Sequence, residues 1–243
     1  MTIPQPIAIW NFDNDRVDEI GAVTLAVAGS APTYEAGPFG SEVAITHDSI
    51  LSSSVAAFSA LAATGVAFTL STWLKFTSGF LTADTGQYAG GIRLRVPGTA
   101  PNSWKIGLEG FFYFAGDMYL NVPAASGGWA DEVITPPLAA GWHNVVLAYT
   151  GTHMTVYING VAIGAARAMV RQQTGSSSDT LDMTNQSFAM PRGQTAVWNV
   201  VLTQEQVTEL AAGLAWANPW SAGGGAGAVQ QRKRLLLLEG QSA

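Results

Sequence analysis

The segment Gly141 to Gly164, GWHNVVLAYTGTHMTVYINGVAIG, constrains the fold of this chain more than any other, because it spells three consecutive antiparallel strands together with both turns. From Met154 the apolar residues Met154, Val156 and Ile158 alternate with Thr155, Tyr157 and Asn159, the period of a half-buried strand. Asn159-Gly160 supplies two residues that tolerate positive φ, as a two-residue hairpin turn demands, and Val161 with Ile163 are expected to resume the buried face beyond it. Trp142 to Tyr149 is apolar on both faces. Such a strand belongs inside a sheet with packing above and below, and Thr150-Gly151-Thr152 turns it into its partner.

Other stretches repeat the pattern. Phe68, Leu70, Thr72, Leu74 and Phe76 fall on one face of a strand and Ser71, Trp73 and Lys75 on the other. Ile92, Leu94 and Val96 alternate with Arg93 and Arg95, and Trp104, Ile106 and Leu108 with Lys105 and Gly107, so the two runs are expected to pair with basic, exposed outer faces. Phe111 to Phe114 and Met118 to Asn121 form a hairpin-like pair around Ala115-Gly116-Asp117. Core packing takes nearly all of these aromatics. Ser54 to Ala63, Ala-rich and short, fits one or two helical turns no better than a loop. A capping-box pattern, Thr203 with Gln206 three residues on, starts a helix whose apolar stripe is Val207, Leu210 and Leu214.

Taken in order, these segments resemble a known family. Ala8-Ile9-Trp10-Asn11-Phe12-Asp13 with Asp18 and Gly21 resembles its first strand, Gly40 to Ile45 its second, Gly141 to Gly164 its centre, and Val197 to Glu205 its closing strand and short helix. The family is that of laminin G-like, or concanavalin A-like, jelly rolls. The resemblance implies an all-β, antiparallel two-sheet sandwich over residues 1–220 with one short C-terminal helix, followed by a Gly-rich linker and extended tail at 221–243. It does not by itself imply a function, since lectins, glycosidases and adhesion or structural modules share this fold.

Charged residues are only 12% of the chain, against about 25% in a typical protein. A surface so poor in charge suits a protein packed against neighbours, a homo-oligomer or a part of a larger particle. The net charge of −6 argues against nucleic acid as the main partner, since the clustered Lys and Arg that phosphate binding draws on occur only in the tail. There is no cysteine, no apolar run of membrane-span length and no export signal near the N-terminus. A lectin-like domain of this kind is expected to reach the outside by another route, and assembly into a virion in the cytoplasm of a bacterial host is one such route. The Asn218-Pro219-Trp220 ending is also similar to that of phage proteins carrying this domain. The expected role is therefore a non-catalytic structural or adhesion protein of a phage particle, a capsid decoration, head-fibre or tail accessory protein bound to other virion proteins. The alternative is a carbohydrate-binding, lectin-like module, whose partners would include host-surface glycans.

Candidate sites are few. Glycosidases of this fold set two carboxylates on alternate positions of one strand, and no Glu-x-Asp-x-Glu occurs; Asp131 and Glu132 are adjacent, which sends them to opposite faces. No catalytic residue is assigned, and no cofactor is expected apart from calcium, which related jelly rolls hold with loop carboxylates. Asp13, Asp15 and Asp18, beside Glu19, are the candidate ligands, with Asp179, Asp182 and Asn185 a second acidic cluster. Gly193-Gln194-Thr195-Ala196 stands where the family commonly has an Ile-Asp-Glu-like segment. For a glycan, Trp129 in the Gly-rich stretch Ser126 to Asp131 is the candidate stacking residue, with Asp131 beside it. Arg232, Lys233 and Arg234 followed by Leu235, Leu236, Leu237 and Leu238 read either as a disordered end or as an arm that anchors to a neighbouring subunit.

Overall fold

Every strand pairing among the described residues is antiparallel. The structure is a computed structural model; it describes residues 3–213 apart from 13, 22, 38–39, 46–49, 54–60, 62–64, 83–88, 96–104, 109, 116, 124–128, 135–136, 169–179 and 185–189. Its strands are β1 (Ala8–Trp10), β2 (Ala26–Ala28), β3 (Thr33–Gly37), β4 (Gly40–Ile45), β5 (Ile50–Ser53), β6 (Phe68–Phe76), β7 (Gly91–Arg95) and β8 (Lys105–Leu108). They continue with β9 (Gly110–Phe114), β10 (Asp117–Pro123), β11 (Trp129–Ile134), β12 (Gly141–Tyr149), β13 (His153–Ile158), β14 (Val161–Ala168), β15 (Thr180–Thr184) and β16 (Met190–Trp198). The helices are α1 (Ser78–Thr82) and α2 (Gln204–Ala211).

An eight-stranded sheet runs β14-β13-β12-β6-β16-β4-β3, with β1 also paired to β16. A five-stranded sheet, β2-β5-β15-β7-β8, and a three-stranded one, β11-β10-β9, lie opposite it. Reciprocal hydrogen bonds between Ala89 and Phe111 join these two into one layer. Between the layers sits one core, which Phe68, Leu70, Leu74, Phe76, Val145, Leu147, Met154 and Val156 enter from one side and Leu51, Ile92, Leu94, Phe111, Met118, Leu120, Leu181 and Met183 from the other. The fold is the two-layer, all-β jelly roll expected. Each fully buried large side chain of this kind is worth about 1.5–3 kcal/mol of burial, so the alternating strands dominate stability.

The local expectations from alternation hold where both faces of a strand have neighbours. β12 lies between β13 and β6, as its double-sided apolarity requires. Asn159 and Gly160 take φ of 50° and 80° at the hairpin. The runs at Ile92 and Leu108 do pair, as do those at Phe114 and Asp117. Three expectations need correction. Val161 is 64% exposed rather than buried, because β14 is the last strand of its sheet. Arg93 is only 6% exposed: it lies on the side of β7 turned from the core, yet stands opposite Asp182 of β15, and the two side chains face one another at 3.9 Å. Gly40–Ile45 is the fourth strand rather than the second, since β2 and β3 precede it. Of Ser54 to Ala63 only Leu61, a core residue, is among the described residues.

A second, smaller core forms on the outer face of the eight-stranded sheet. There α2 lays Val207 and Leu210 against Ile9, Val146, Ala196, Trp198 and Leu202. Both halves of the capping box are made, Gln206 N–H donating to the Thr203 hydroxyl and Thr203 N–H to Gln206 Oε1. Leu214 lies outside the described residues. Among the described residues, the helix therefore covers one half of this outer face.

One polar group crosses the main core. Arg192 of β16 is fully buried, and its guanidinium donates to Thr72 Oγ1 at 2.8 Å and to the Gly91 carbonyl of the opposite layer at 2.8 Å. Burial pushes it down to about 9, so it is still protonated at neutral pH. The folded state thus binds this proton less tightly than the unfolded chain, and the cost of the buried charge is largest below pH 9 and relaxes above it. Thr72 also shares a 2.8 Å hydrogen bond with Thr195. Thr72→Val, equal in shape, should cost about 2 kcal/mol, the size of a lost hydrogen bond to a charged group. Urea denaturation measures it, and an unchanged midpoint would show that the guanidinium does not depend on Thr72.

Candidate functional site

The acidic residues near the N-terminus are put to structural use. Asp18 is 2% exposed and accepts three backbone N–H groups: Ile9 at 2.7 Å and Ile20 at 3.1 Å on Oδ1, and Gly21 at 2.5 Å on Oδ2. It ties the turn from Asp18 to Gly21 onto β1, with both of its oxygens facing backbone donors, a structural use beyond its reading as a candidate metal ligand. Asp15 is exposed and accepts Val17 N–H at 3.0 Å, while Asp13 lies outside the described residues. In the second cluster Asp182 faces Arg93 and accepts from the Thr180 hydroxyl at 2.9 Å; Asp179 and Asn185 lie outside the described residues. Among the described residues no three His, Asp or Glu side chains are placed to hold a metal ion.

Trp129 opens β11, opposite Pro123, instead of sitting in a loop; the pairing with β10 runs on to it and leaves only 124–128 between the strands. Asp131 follows two residues on, opposite Asn121. Glu132, the residue after Asp131, is paired with Arg167 of β14, so β11 is fastened to the edge of the other layer. The arm from Arg232 to Leu238 lies outside the described residues.

The half of the eight-stranded sheet's outer face away from α2 brings together side chains from distant segments. Because Leu74 and Phe76 point into the core, Trp73 and Lys75 point out. By the same alternation Val145 points in, and Trp142 and Asn144 point out. β12 and β6 pair so that Trp142 stands opposite Lys75 and Asn144 opposite Trp73. The two tryptophans are therefore diagonal neighbours, a relation that sets side chains about 7–8 Å apart. Both are half-buried. Lys75 Nζ lies 5.9 Å from the centre of the Trp142 ring and donates to Glu35 of β3 at 2.9 Å. A one-residue bulge in β16 between Arg192 and Thr195 carries Gln194, whose amide donates to Asn11 at 2.7 Å. Asn144 is fully buried under this face, donating to Ser71 at 3.2 Å. His143, on the opposite side of the strand, sets its ring edge-on to Phe76.

This is a pair of aromatic plates rimmed by neutral and paired polar groups. The C–H face of a sugar ring packs on such plates while its hydroxyls bond to the rim. The sequence shows Trp73 on the non-core face of its strand but not that Trp142 lies beside it.

The family profile of the concanavalin A-like lectin/glucanases superfamily matches residues 51–208, more than half of the chain. The chain belongs to this superfamily. No curated protein matches it in sequence. Among solved structures it is similar to domain 4 of AbnA, a GH43 extracellular arabinanase from Geobacillus stearothermophilus, solved in complex with arabinotriose. That domain gives a TM-score of 0.63 at 18% identity, with 85% of this chain and 98% of that chain covered. It is also similar to the botulinum neurotoxin serotype G binding domain, with TM-score 0.60 at 10% identity, over 88% of this chain and 52% of that one. A third is the botulinum neurotoxin serotype D ligand binding domain in complex with N-acetylneuraminic acid, with TM-score 0.59 at 11% identity, over 86% and 50%. The chain spans about half the length of the two toxin domains. At these identities the likenesses establish the superfamily fold and not a shared ligand.

Proposed function

We propose that this chain is a non-catalytic carbohydrate-binding module that holds glycans against Trp73 and Trp142. The observation that carries the proposal is the placement of two half-buried tryptophans as diagonal neighbours on the outer face of the eight-stranded sheet, with Lys75, Glu35 and Gln194 on the same face. The sugar-bound states of the arabinanase domain and the serotype D toxin domain support it by fold. Against hydrolysis, Glu35, Glu132 and Asp182 each face a cation, which leaves none of these three poised as a free acid or nucleophile. Trp129 with Asp131 is the competing stacking site on the same module.

A broad screen of oligosaccharides by titration calorimetry, with wild type, Trp142→Ala and Trp129→Ala, tests this. Saturable binding that is lost in Trp142→Ala and kept in Trp129→Ala supports the proposal; the reverse pattern moves the site to β11, and a silent wild type removes the function.

A second reading, a structural component of a phage particle, is carried by the sequence Arg232 to Leu238, a basic triplet followed by four leucines. Removal of residues 228–243 should convert an oligomer into a folded monomer by light scattering. Identical masses for the two forms would count against a self-assembling arm.

A further inference from the structure

We infer that the tryptophan face is built for neutral glycans and that Glu35 is the residue that turns acidic ones away; this rests on the carbohydrate-binding reading above. Lys75 lies directly opposite Trp142 in the strand register, with its ammonium near the ring. Left alone, that cation would draw carboxylated sugars to the plate. It is not left alone, because Glu35 accepts its proton donor at 2.9 Å, with both side chains about 40% exposed (37% and 41%). Glu35 arrives from β3, which is separated from β6 in the sheet by β16 and β4, so the pairing is not a by-product of adjacency. Tyr34 packs against the core, and this turns the next residue, Glu35, to the outer face.

Asn144, Gln194 and Asn11 on this face carry no charge, and the residue opposite Glu35 in the register of β4 is a second acidic one, Glu42. The Lys75 ammonium is therefore matched by the Glu35 carboxylate, with Glu42 at the adjacent register position, on a chain whose net charge is −6. A carboxylated sugar meets an attraction cancelled at short range and a repulsion from the chain as a whole. A neutral sugar can donate one hydroxyl to Glu35 and accept from Lys75 with another, while its ring lies on the indoles. Specificity of this kind comes from a built-in repulsive element as much as from contacts.

The test titrates the full chain with arabinotriose and cellotriose as neutral probes, and with trigalacturonic acid and sialyllactose as acidic ones. Wild type should prefer a neutral probe. Glu35→Gln should raise the affinity for an acidic probe about threefold to fivefold at low salt, the effect of unmasking one partly exposed charge. That gain should vanish at about 0.5 M salt, where charges are screened within a few ångströms. Adding Lys75→Met to Glu35→Gln should cancel it as well. Acidic probes that bind wild type as tightly as neutral ones, with no change in Glu35→Gln but loss in Trp142→Ala, overturn the charge selection and leave the platform standing. Wild type that binds neither class overturns both.

Discussion

Replacement of Asp18 by alanine should destabilise the domain by about 3–4 kcal/mol, because three backbone donors lose one buried, charged acceptor. For a domain of this size that is a fall of roughly 10 °C in Tm. The β1-side contact matters most: without it Ile9 N–H is left without the carboxylate that fastens β1, and Ile9 is a member of the smaller core under α2. Asp18→Asn should cost nearly as much, since an amide nitrogen would then face the N–H of either Gly21 or Ile9. Asp15→Ala should change stability by less than about 0.5 kcal/mol, as expected of an exposed residue with one local hydrogen bond. Thermal unfolding with and without calcium and chelator distinguishes a backbone clamp from a metal ligand. The clamp requires equal losses in both; a calcium-dependent Tm that disappears in Asp18→Ala would restore the metal site.

Removal of either tryptophan of the outer face should weaken glycan binding about tenfold, and of both about a hundredfold. Each half-buried indole offers a few tens of Å² of apolar surface to a sugar ring, worth about 1–1.5 kcal/mol at the usual area coefficient, and 1.4 kcal/mol is a factor of ten. Stability should respond far less, because both rings stand outside the main core. Affinity and urea midpoint are therefore to be measured on the same variants. Loss of affinity with an unchanged midpoint assigns the rings to the ligand; parallel losses assign them to packing.

What the sequence shows and what it hides divide along one physical line. Alternation identifies which residues share a strand face, so Met154, Val156 and Ile158, or Phe68 through Phe76, are legible as core positions. It does not tell whether another layer covers that face. Val161 fits the period and is exposed, since nothing pairs beyond β14. Arg93 lies on the non-core side as its spacing says, but its burial beside Asp182 depends on β15 returning next to β7. The tryptophan platform is hidden for the same reason. Trp73 and Trp142 each sit on the non-core face of a readable strand, and only the long-range register of β6 with β12 makes them neighbours. Asp18 reads as one more loop carboxylate because its partner, the N–H of Ile9, becomes a partner only when the chain turns back on β1. Turn chemistry and the helix cap are local, and Asn159-Gly160 and Thr203 with Gln206 are accordingly found as read.

The most direct measurement of the platform is a sugar titration of the nitrogen-labelled protein, following the indole N–H signals of its eight tryptophans. Shifts concentrated on Trp73 and Trp142, saturating with one dissociation constant, are the expected result. Saturable shifts confined to Trp129, with the other two unmoved, would contradict it.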